Sequence, residues 1–411
     1  MVTTLTIPVN GIRPTGLMRR VLDGLDSNMT RIFMPWVARN PRYLGAALRL
    51  SRSYKRSEKL REQALEAGVK VPPFMILSIT SSCNLSCAGC YAAAVGTLDT
   101  RRLGDCADKK TTMSWTQWRS IIEQANDLGV FSFIIAGGEP FLFRGLVQLC
   151  EEFNKNFFII LTNGTAISIS DYERLKKTTN VAVIVSVEGS EEHTDTRRGK
   201  GVHHQAMETL ARLKQIGVPT GISVTITREN YDYWMQEENL DHFVKAGAVV
   251  GVFIEYIPVM HENLTGSTLE SPGGCSGADN GLMLTAVERA EFRSRVLEYR
   301  SKKKSLYLIH SPGDEDFFGG CVSAGRGFAH ITPSGDLTAC PVSSLATHNL
   351  STASLRDGLA SPLFSAIREN EHLLTNEDVP CALFAHPEEV QSIAESVGAY
   401  VSDGLDVDNS R

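Results

Sequence analysis

The sequence lacks several features that would assign it to a specialised class of protein. No window reaches the about 18 uninterrupted apolar residues of a transmembrane helix, and the N-terminal MVTTLTIP does not have the pattern of a secretory signal. An excess of basic residues is also absent, since 47 Asp and Glu face 41 Lys and Arg for a net charge of -6. A nucleic-acid-binding surface is normally basic. We therefore expect a cytoplasmic protein with no transmembrane segment and no nucleic-acid partner.

Cysteine, in contrast, is present in a number that a disulfide framework does not explain. The 411 residues include nine cysteines, an odd count, and cytoplasmic thiols stay reduced. Clustered cysteines in that compartment are interpreted first as metal ligands or catalytic groups. The spacing of the cysteines therefore carries more information than their number.

Four regions of the chain differ in composition. Residues 1–71 mix arginines with apolar residues in helix-like patterns. They predict a helical extension packed on the main domain or, alternatively, a surface for an acidic substrate or for peripheral contact with membrane lipid. Residues 72–262 alternate strand-like and helix-like segments, residues 263–385 contain shorter strands, and residues 386–411 read as a helix and an acidic tail.

Six apolar runs in residues 72–262 predict parallel strands covered by helices, because most are apolar on both faces. With the helical segments between them, they predict an α/β fold built on a partial (β/α)6 TIM-like barrel. In such a fold, functional groups lie at the carboxyl ends of the strands. The six runs are Phe74–Thr80, Val130–Ile135, Phe157–Leu161, Val181–Val187, Gly221–Thr227 and Val249–Ile257.

The first cysteine cluster follows the first predicted strand. Cys83, Cys87 and Cys90 have the spacing C-x3-C-x2-C. Three thiolates on one loop can hold three irons of a [4Fe-4S] cluster and leave the fourth iron open to another ligand. The alternatives are a zinc knuckle, which normally has four protein ligands, and inert thiols.

This run, with the motifs after it, resembles the signature of the radical S-adenosylmethionine (radical SAM) enzymes. Most members have an aromatic residue just before the last cysteine, whereas here Gly89 takes that place and Tyr91 follows the cysteine. The resemblance implies that the open iron binds the amino and carboxylate groups of SAM. It also implies that the motif Gly137–Pro140, after the second strand, meets the methionine amino group.

The later strands carry the rest of the SAM site that the resemblance implies. Ser186 and Glu188 would contact the ribose, and Arg198 would pair with the SAM carboxylate, with Arg197 as its alternative. Residues on the fifth and sixth strands would line the adenine. The implied cofactor-binding residues are Tyr91, Gly137, Gly138, Glu139, Pro140, Asn163, Ser186, Glu188, Arg198, Ser223 and Ile257.

A second set of cysteines lies in the C-terminal region. Cys321 and Cys340 flank a predicted hairpin, and Cys381 lies downstream. The spacing Gly335-x4-Cys340 resembles the start of SPASM and twitch domains, α+β modules that hold auxiliary iron–sulfur clusters. The resemblance implies one auxiliary [4Fe-4S] cluster on these three cysteines, whereas the alternative is buried free thiols. Its fourth position could be filled by Cys275, by a non-cysteine ligand or by substrate at an open iron.

The sequence leaves the substrate open. The resemblance implies that a flavodoxin or ferredoxin supplies an electron, that SAM is cleaved to a 5′-deoxyadenosyl radical, and that this radical abstracts hydrogen from an unactivated C–H bond. Our first interpretation is a small-molecule or lipid substrate. The alternatives are a peptide maturase of the SPASM type and a non-catalytic electron-transfer protein. Cys275 is a candidate catalytic hydrogen donor, and the acidic run Asp314–Asp316 is either an exposed turn or a contact for a polar substrate group.

Overall fold

One sheet of eleven strands organises the molecule. The computed structural model describes residues 36–99, 112–259, 280–302, 304–375 and 379–402, and the sheet order is β11-β10-β9-β8-β1-β2-β3-β4-β5-β6-β7. The strands are β1 Phe74–Ser78, β2 Ser132–Ala136, β3 Phe157–Thr162, β4 Val181–Ser186, β5 Thr220–Ile226, β6 Val250–Glu255, β7 Tyr307–Ser311, β8 Phe328–Ile331, β9 Asp336–Thr338, β10 Leu345–Asn349 and β11 Tyr400–Val401.

Strands β1 to β6 match the six predicted apolar runs and pair in parallel, in chain order. Parallel pairing needs a crossover between successive strands, and helices supply it. The helices of residues 43–246 are α1 Tyr43–Glu66, α2 Tyr91–Ala94, α3 Trp115–Leu128, α4 Leu146–Glu152, α5 Ile169–Leu175, α6 Glu191–Arg198, α7 Val202–Gln215, α8 Tyr231–Met235 and α9 Glu237–Ala246. This arrangement confirms the predicted α/β fold class.

Local sequence explains the ends of the crossover helix α3. The Ser114 side chain accepts from the backbone N–H of Gln117, and the Gln117 side chain accepts from the backbone N–H of Ser114, which is a capping box. Gly129 ends the helix in the left-handed region at φ 96°. Trp118, Ile121 and neighbouring apolar residues bury the inner face of this helix against the sheet.

The C-terminal region continues the same sheet at both edges. β7 pairs in parallel with β6, and β8 pairs in parallel with β1. Strands β9 to β11 then add antiparallel pairs beyond β8. The remaining helices are α10 Ala286–Ser301, α11 Leu355–Leu359, α12 Pro362–Glu369, α13 Ala382–Ala385 and α14 Pro387–Ser396. Because β8 adjoins β1, the β8–β9 hairpin that precedes Cys340 lies beside the strand that precedes the first cysteine loop.

The described part of the N-terminal region, residues 36–71, packs on the core through basic residues in helix α1 and just before it. Arg42 Nη2 donates to the carbonyl of Gly217 at 2.6 Å, Arg49 Nε to that of Asn154 at 2.9 Å, and Arg61 Nη1 to that of Gly129 at 2.8 Å. These arginines bind loop and helix-end carbonyls, as an extension packed on the main domain requires. Across the described ranges, no helix is both long enough and apolar enough to cross a membrane.

Candidate functional site

The first cysteine loop is joined to the glycine motif by backbone hydrogen bonds. Gly138 N–H donates to the carbonyl of Thr80, and Glu139 N–H donates to that of Ser82, both at 2.8 Å. A Cβ on Gly138 would lie 2.1 Å from the Ser82 carbonyl oxygen, and Gly137 has a left-handed φ of 125°. Only glycine allows this approach of two backbones. The carboxyl ends of β1 and β2 therefore form one platform beneath the cysteines.

The three thiols of this loop lie beside two arginines. Cys83, Cys87 and Cys90 are all half-buried, and burial raises the pKa of Cys83 to about 11. Burial also raises the pKa of Cys87, while Arg198 and then Arg197 oppose that shift. Metal binding requires thiolates, which a positive environment favours. Three thiols on one loop with cationic neighbours fit a [4Fe-4S] cluster bound by three thiolates.

Both arginines are held by Glu188, which is 1% exposed. Its Oε1 accepts from Arg198 Nε at 2.7 Å and from Arg197 Nη1, and its Oε2 accepts from the backbone N–H of Thr225 at 3.1 Å. Arg197 also accepts a backbone hydrogen bond from Ala88 N–H at 2.9 Å. Glu188 thus fixes the cationic pair against the cysteine loop, so the predicted rivals Arg197 and Arg198 lie together.

Sequence reasoning missed the residues that hold Glu188. Its backbone carbonyl accepts from Asn230 Nδ2 at 3.0 Å and from Trp234 Nε1 at 3.1 Å, and its N–H donates to Thr194 Oγ1 at 3.0 Å. These residues lie 6 to 46 positions after Glu188 in the chain. Asn230 follows β5 and Trp234 lies in α8, far along the chain from Glu188, so no local sequence pattern indicates that they contact it.

The predicted SAM contact Glu139 has its carboxylate filled by protein donors. It is 1% exposed. Oε1 accepts from Thr162 Oγ1 at 2.7 Å and from Phe141 N–H at 3.1 Å, and Oε2 accepts from Asn163 N–H at 2.8 Å. Burial raises the pKa of Glu139, and these hydrogen bonds oppose the shift. The carboxylate therefore ties the end of β2 to the end of β3, beside Pro140.

The other predicted SAM residues surround the same edge of the sheet. Asn163 Nδ2 donates to Asn84 Oδ1 in the cysteine loop at 2.9 Å. The hydroxyls of Ser186 on β4 and Ser223 on β5 are 2.9 Å apart. Ile257 is half-buried just beyond β6. The structure therefore brings the predicted residues of β1 to β6 to one carboxyl edge.

A cavity of about 210 Å³ opens at this edge. Of the predicted SAM-binding residues, Glu188 lines it. A Cβ on Gly89 would lie 2.8 Å from the Tyr256 ring, so the absence of a side chain at Gly89 makes room for that ring. Other residues lining the cavity are His193, Thr196, Arg197 and Asn230.

The second triad comes from three separate segments. Cys321 follows a 3-10 helix, Cys340 follows β9, and Cys381 precedes α13, and the latter two thiols are buried. Burial raises the pKa of Cys321 to about 12 and that of Cys381 to about 11, and negative neighbours raise the pKa of Cys321 further. Burial and the other two thiols also raise the pKa of Cys340. Three neighbouring thiols, two of them buried, fit an auxiliary cluster.

Two predictions about metal binding remain, one for Cys275 and one for a zinc site. Cys275 lies outside the described residues. Among the residues that the structure does describe, no three His, Cys, Asp or Glu side chains are grouped to hold a single metal ion. A [4Fe-4S] cluster differs from a mononuclear zinc site because each thiolate binds its own iron.

A buried chain of hydrogen bonds joins the two triads, and the sequence analysis did not predict it. The chain begins at Ser78, which lies near the Tyr91 hydroxyl beside Cys90. Ser78 Oγ lies 2.8 Å from His330 Nε2, and His330 Nδ1 lies 2.8 Å from Thr338 Oγ1. Thr338 Oγ1 then donates to the backbone carbonyl of Cys340 at 3.1 Å. The chain crosses the three adjacent strands β1, β8 and β9.

The fold and site define a class: an α/β protein with three thiols on one loop at the carboxyl edge of a parallel sheet. Residues 77–240 match the radical SAM superfamily. These residues therefore form a radical SAM domain, and the enzymes of this superfamily use a [4Fe-4S] cluster and SAM as cofactors. The predicted class and these cofactors are confirmed, and an enzyme is favoured over an electron carrier.

Individual relatives share parts of the chain. The sporulation killing factor maturation protein SkfB of Bacillus subtilis is 27% identical over 43% of this chain and 42% of SkfB, so the match spans less than half of that relative. The mycofactocin maturase MftC of Mycolicibacterium smegmatis is 28% identical over 69% of this chain and 67% of MftC. The crystal structure of Streptococcus suis SuiB bound to precursor peptide SuiA matches at 18% identity with a TM-score of 0.57, over 76% of this chain and 71% of SuiB, which shows a shared fold.

Proposed function

We propose that the protein is a radical SAM maturase that abstracts hydrogen from an unactivated C–H bond of a peptide substrate. The observation that carries this proposal is the match to the maturase MftC over 69% of the chain, which is longer than the radical SAM domain alone. The shared fold with SuiB, which binds a precursor peptide, supports it. These relatives favour the peptide alternative over a small-molecule or lipid substrate.

The residues of the first site have separate tasks in this proposal. Cys83, Cys87 and Cys90 would hold the cluster, which with SAM supplies one-electron cleavage to a 5′-deoxyadenosyl radical when both are bound. Arg197 and Arg198, fixed by Glu188, present cationic groups to the SAM carboxylate. The platform at Gly137 and Gly138 fixes the cysteine loop so that the site keeps its geometry. A flavodoxin or ferredoxin would supply the electron.

The second triad would hold an auxiliary [4Fe-4S] cluster on Cys321, Cys340 and Cys381. Two of its three thiols are buried, and the hydrogen-bonded chain through His330 connects the backbone of Cys340 with Ser78 of β1. A shielded cluster is protected from oxygen and water and can exchange electrons with a substrate radical.

The test is anaerobic reconstitution with iron and sulfide, followed by reaction with SAM, dithionite and peptides encoded beside the gene. We expect release of 5′-deoxyadenosine and a peptide product whose mass has decreased by loss of hydrogen. Cys83→Ala is the inactive control. Absence of 5′-deoxyadenosine from fully loaded protein would refute catalysis. Formation of 5′-deoxyadenosine without any peptide change would refute the peptide assignment.

A small polar substrate is the second candidate. The cavity beside Glu188 and Arg197 holds about 210 Å³ and is lined by groups of both charges. That volume and lining fit a small molecule better than an extended chain. In this case small polar molecules, rather than peptides, would accelerate 5′-deoxyadenosine release in the same assay.

A further inference from the structure

The second triad lacks one protein ligand for a four-iron cluster. Cys321, Cys340 and Cys381 provide three thiols, and each iron of the cluster needs a terminal ligand. A fourth ligand from this chain would have to lie near the thiols and be held in place by other contacts. The acidic run before Cys321 contains one side chain with both properties.

Glu315 lies on the 3-10 helix Gly313–Phe318, and a tight reversal brings it over the cysteine that follows. Gly319 and Gly320 have φ values of 73° and 97°, and Gly320 N–H donates to the Glu315 carbonyl at 3.1 Å. The Glu315 carboxyl lies near the Cys321 thiol and the backbone N–H of Val322, with the Cys381 thiol close by, while the Cys321 thiol donates to Ser323 Oγ at 3.2 Å.

This reversal is fixed by a neighbouring segment. Cys321 N–H donates to the Leu374 carbonyl at 2.7 Å, and a Cβ on Gly320 would lie 2.2 Å from the same carbonyl oxygen. Arg326 donates to the backbone carbonyl of Cys321 and, through Nη2, to that of Phe318 at 3.2 Å. Glu315 and Cys321 are therefore held in one rigid turn.

The two flanking acids, Asp314 and Asp316, form ion pairs with arginines of α10. Asp314 accepts a bidentate pair from Arg300 at 2.8 and 2.5 Å. Asp316 pairs with Arg293 and has an exposed side chain. Within the described ranges, Glu315 forms no ion pair with a lysine or arginine within 4 Å, and it points at the thiols instead.

Cluster binding would convert the three neighbouring thiols to thiolates, and a carboxylate beside thiolates is electrostatically unfavourable unless a cation lies between them. Cluster iron is such a cation, and carboxylate oxygen is an accepted ligand for iron. We propose that Glu315 is the fourth protein ligand of the auxiliary cluster. This inference rests on the auxiliary cluster of the proposed function and specifies which side chain completes it. Binding would release the carboxyl proton to solvent and involves no redox change.

The test uses the full-length chain with Cys83→Ala, Cys87→Ala and Cys90→Ala, so that iron reports on the second triad alone. This parent is compared with three further variants: Glu315→Gln, which keeps the shape but is a poor ligand, Glu315→Cys, which supplies a thiolate, and the neighbouring control Asp316→Asn. Iron per chain is measured after anaerobic reconstitution, and EPR spectra are recorded before and after mild oxidation.

We expect about four irons per chain in the parent, in Asp316→Asn and in Glu315→Cys, and about three in Glu315→Gln, with the EPR signal of a [3Fe-4S] cluster. Glu315→Cys should also resist loss of iron on oxidation, because thiolate binds iron more firmly than carboxylate. Four irons and an unchanged spectrum in Glu315→Gln would overturn the assignment of Glu315 alone. No iron in the parent would overturn both the auxiliary cluster and its fourth ligand, and SAM cleavage by the unsubstituted protein would still test the first site separately.

Discussion

The two cysteine triads differ in how they are built and in the charge beside them. The first occupies one loop between β1 and α2, is half-buried, and lies next to Arg197 and Arg198. The second joins three chain segments, buries two of its three thiols, and lies next to Glu315. The first site is open and cationic, whereas the second is closed and anionic.

That difference matches two kinds of chemistry. An open site with cationic side chains can admit and release a cosubstrate that carries a carboxylate. A closed site with an acidic neighbour suits a cluster that stays in place and exchanges only electrons. The predictions that follow test whether the two sites have these separate roles.

The largest contrast is expected from removing one thiol at each site. Cys83→Ala should abolish 5′-deoxyadenosine formation, a larger loss than the about 10- to 100-fold cost of removing an outer-shell partner of a metal. Cys340→Ala should retain cleavage of SAM that is uncoupled from product, because the first loop is unchanged. The measurement is 5′-deoxyadenosine per chain under dithionite. Complete loss in both variants, with the first cluster intact in Cys340→Ala, would contradict separate roles.

A smaller loss in the rate of 5′-deoxyadenosine formation is expected from a substitution in the platform of the first site. Gly138→Ala places a methyl group 2.1 Å from the Ser82 carbonyl and must displace the cysteine loop. A displacement of about 1 Å costs on the order of 100-fold in rate, so we expect that loss in 5′-deoxyadenosine formation. Gly45→Ala on helix α1 is the control, because nothing lies within 4 Å of its Cβ. Equal rates in the two variants would show that the platform does not position the loop.

The sequence signals that predict the first site are local. Cys83, Cys87 and Cys90 are adjacent on one loop, and Gly137 and Gly138 follow a recognisable strand. Their spacing is preserved in the fold whatever the rest of the chain does. The same holds for the six strand runs, since a buried parallel strand is apolar along its length.

Features that depend on distant segments could not be predicted. Glu139 was predicted from its motif as a SAM contact, but the hydrogen bonds that its carboxylate accepts from Thr162 and Asn163 at the end of β3 were not predicted. Glu315 was expected in an exposed turn or at a polar substrate, and only the reversal at Gly320 shows that it faces Cys321. No periodicity in the sequence indicates that β8 inserts beside β1, because strand order is set by tertiary packing.

Charge at the first site gives the next prediction. Glu188→Gln removes the anion that pairs with Arg197 and Arg198, so two cations remain in a largely buried position. Breaking a buried pair costs about 3–5 kcal/mol, and we expect a loss of unfolding free energy of that size. Glu151→Gln, which breaks a more exposed pair with Arg174, should cost less than about 1 kcal/mol. Denaturant unfolding measures both, and equal losses would contradict a special role for Glu188.

The smallest effect concerns the hydrogen-bonded chain that joins the two sites. The donors and acceptors of this chain can be assigned. Thr338 donates its hydroxyl proton to the Cys340 carbonyl, so it accepts from His330 Nδ1. His330 Nε2 then accepts from the Ser78 hydroxyl. A neutral imidazole meets this pattern and a charged one does not. Burial accordingly lowers the pKa of His330 to about 3.

This lowered pKa predicts a pH dependence of stability. An unfolded histidine takes up a proton near pH 6.5, whereas the folded His330 does not. The unfolded state therefore binds more protons, and the stability decreases as the pH is lowered from about 6.5 to about 3. From pH 7 to pH 5 the loss due to this residue is about 2 kcal/mol. His330→Gln in the metal-free chain should remove that part of the pH dependence, whereas His204→Gln, an exposed side chain, should not. An unchanged pH dependence in His330→Gln would mean that His330 can carry charge where it lies, and the two triads would then not be joined by a neutral, directed chain.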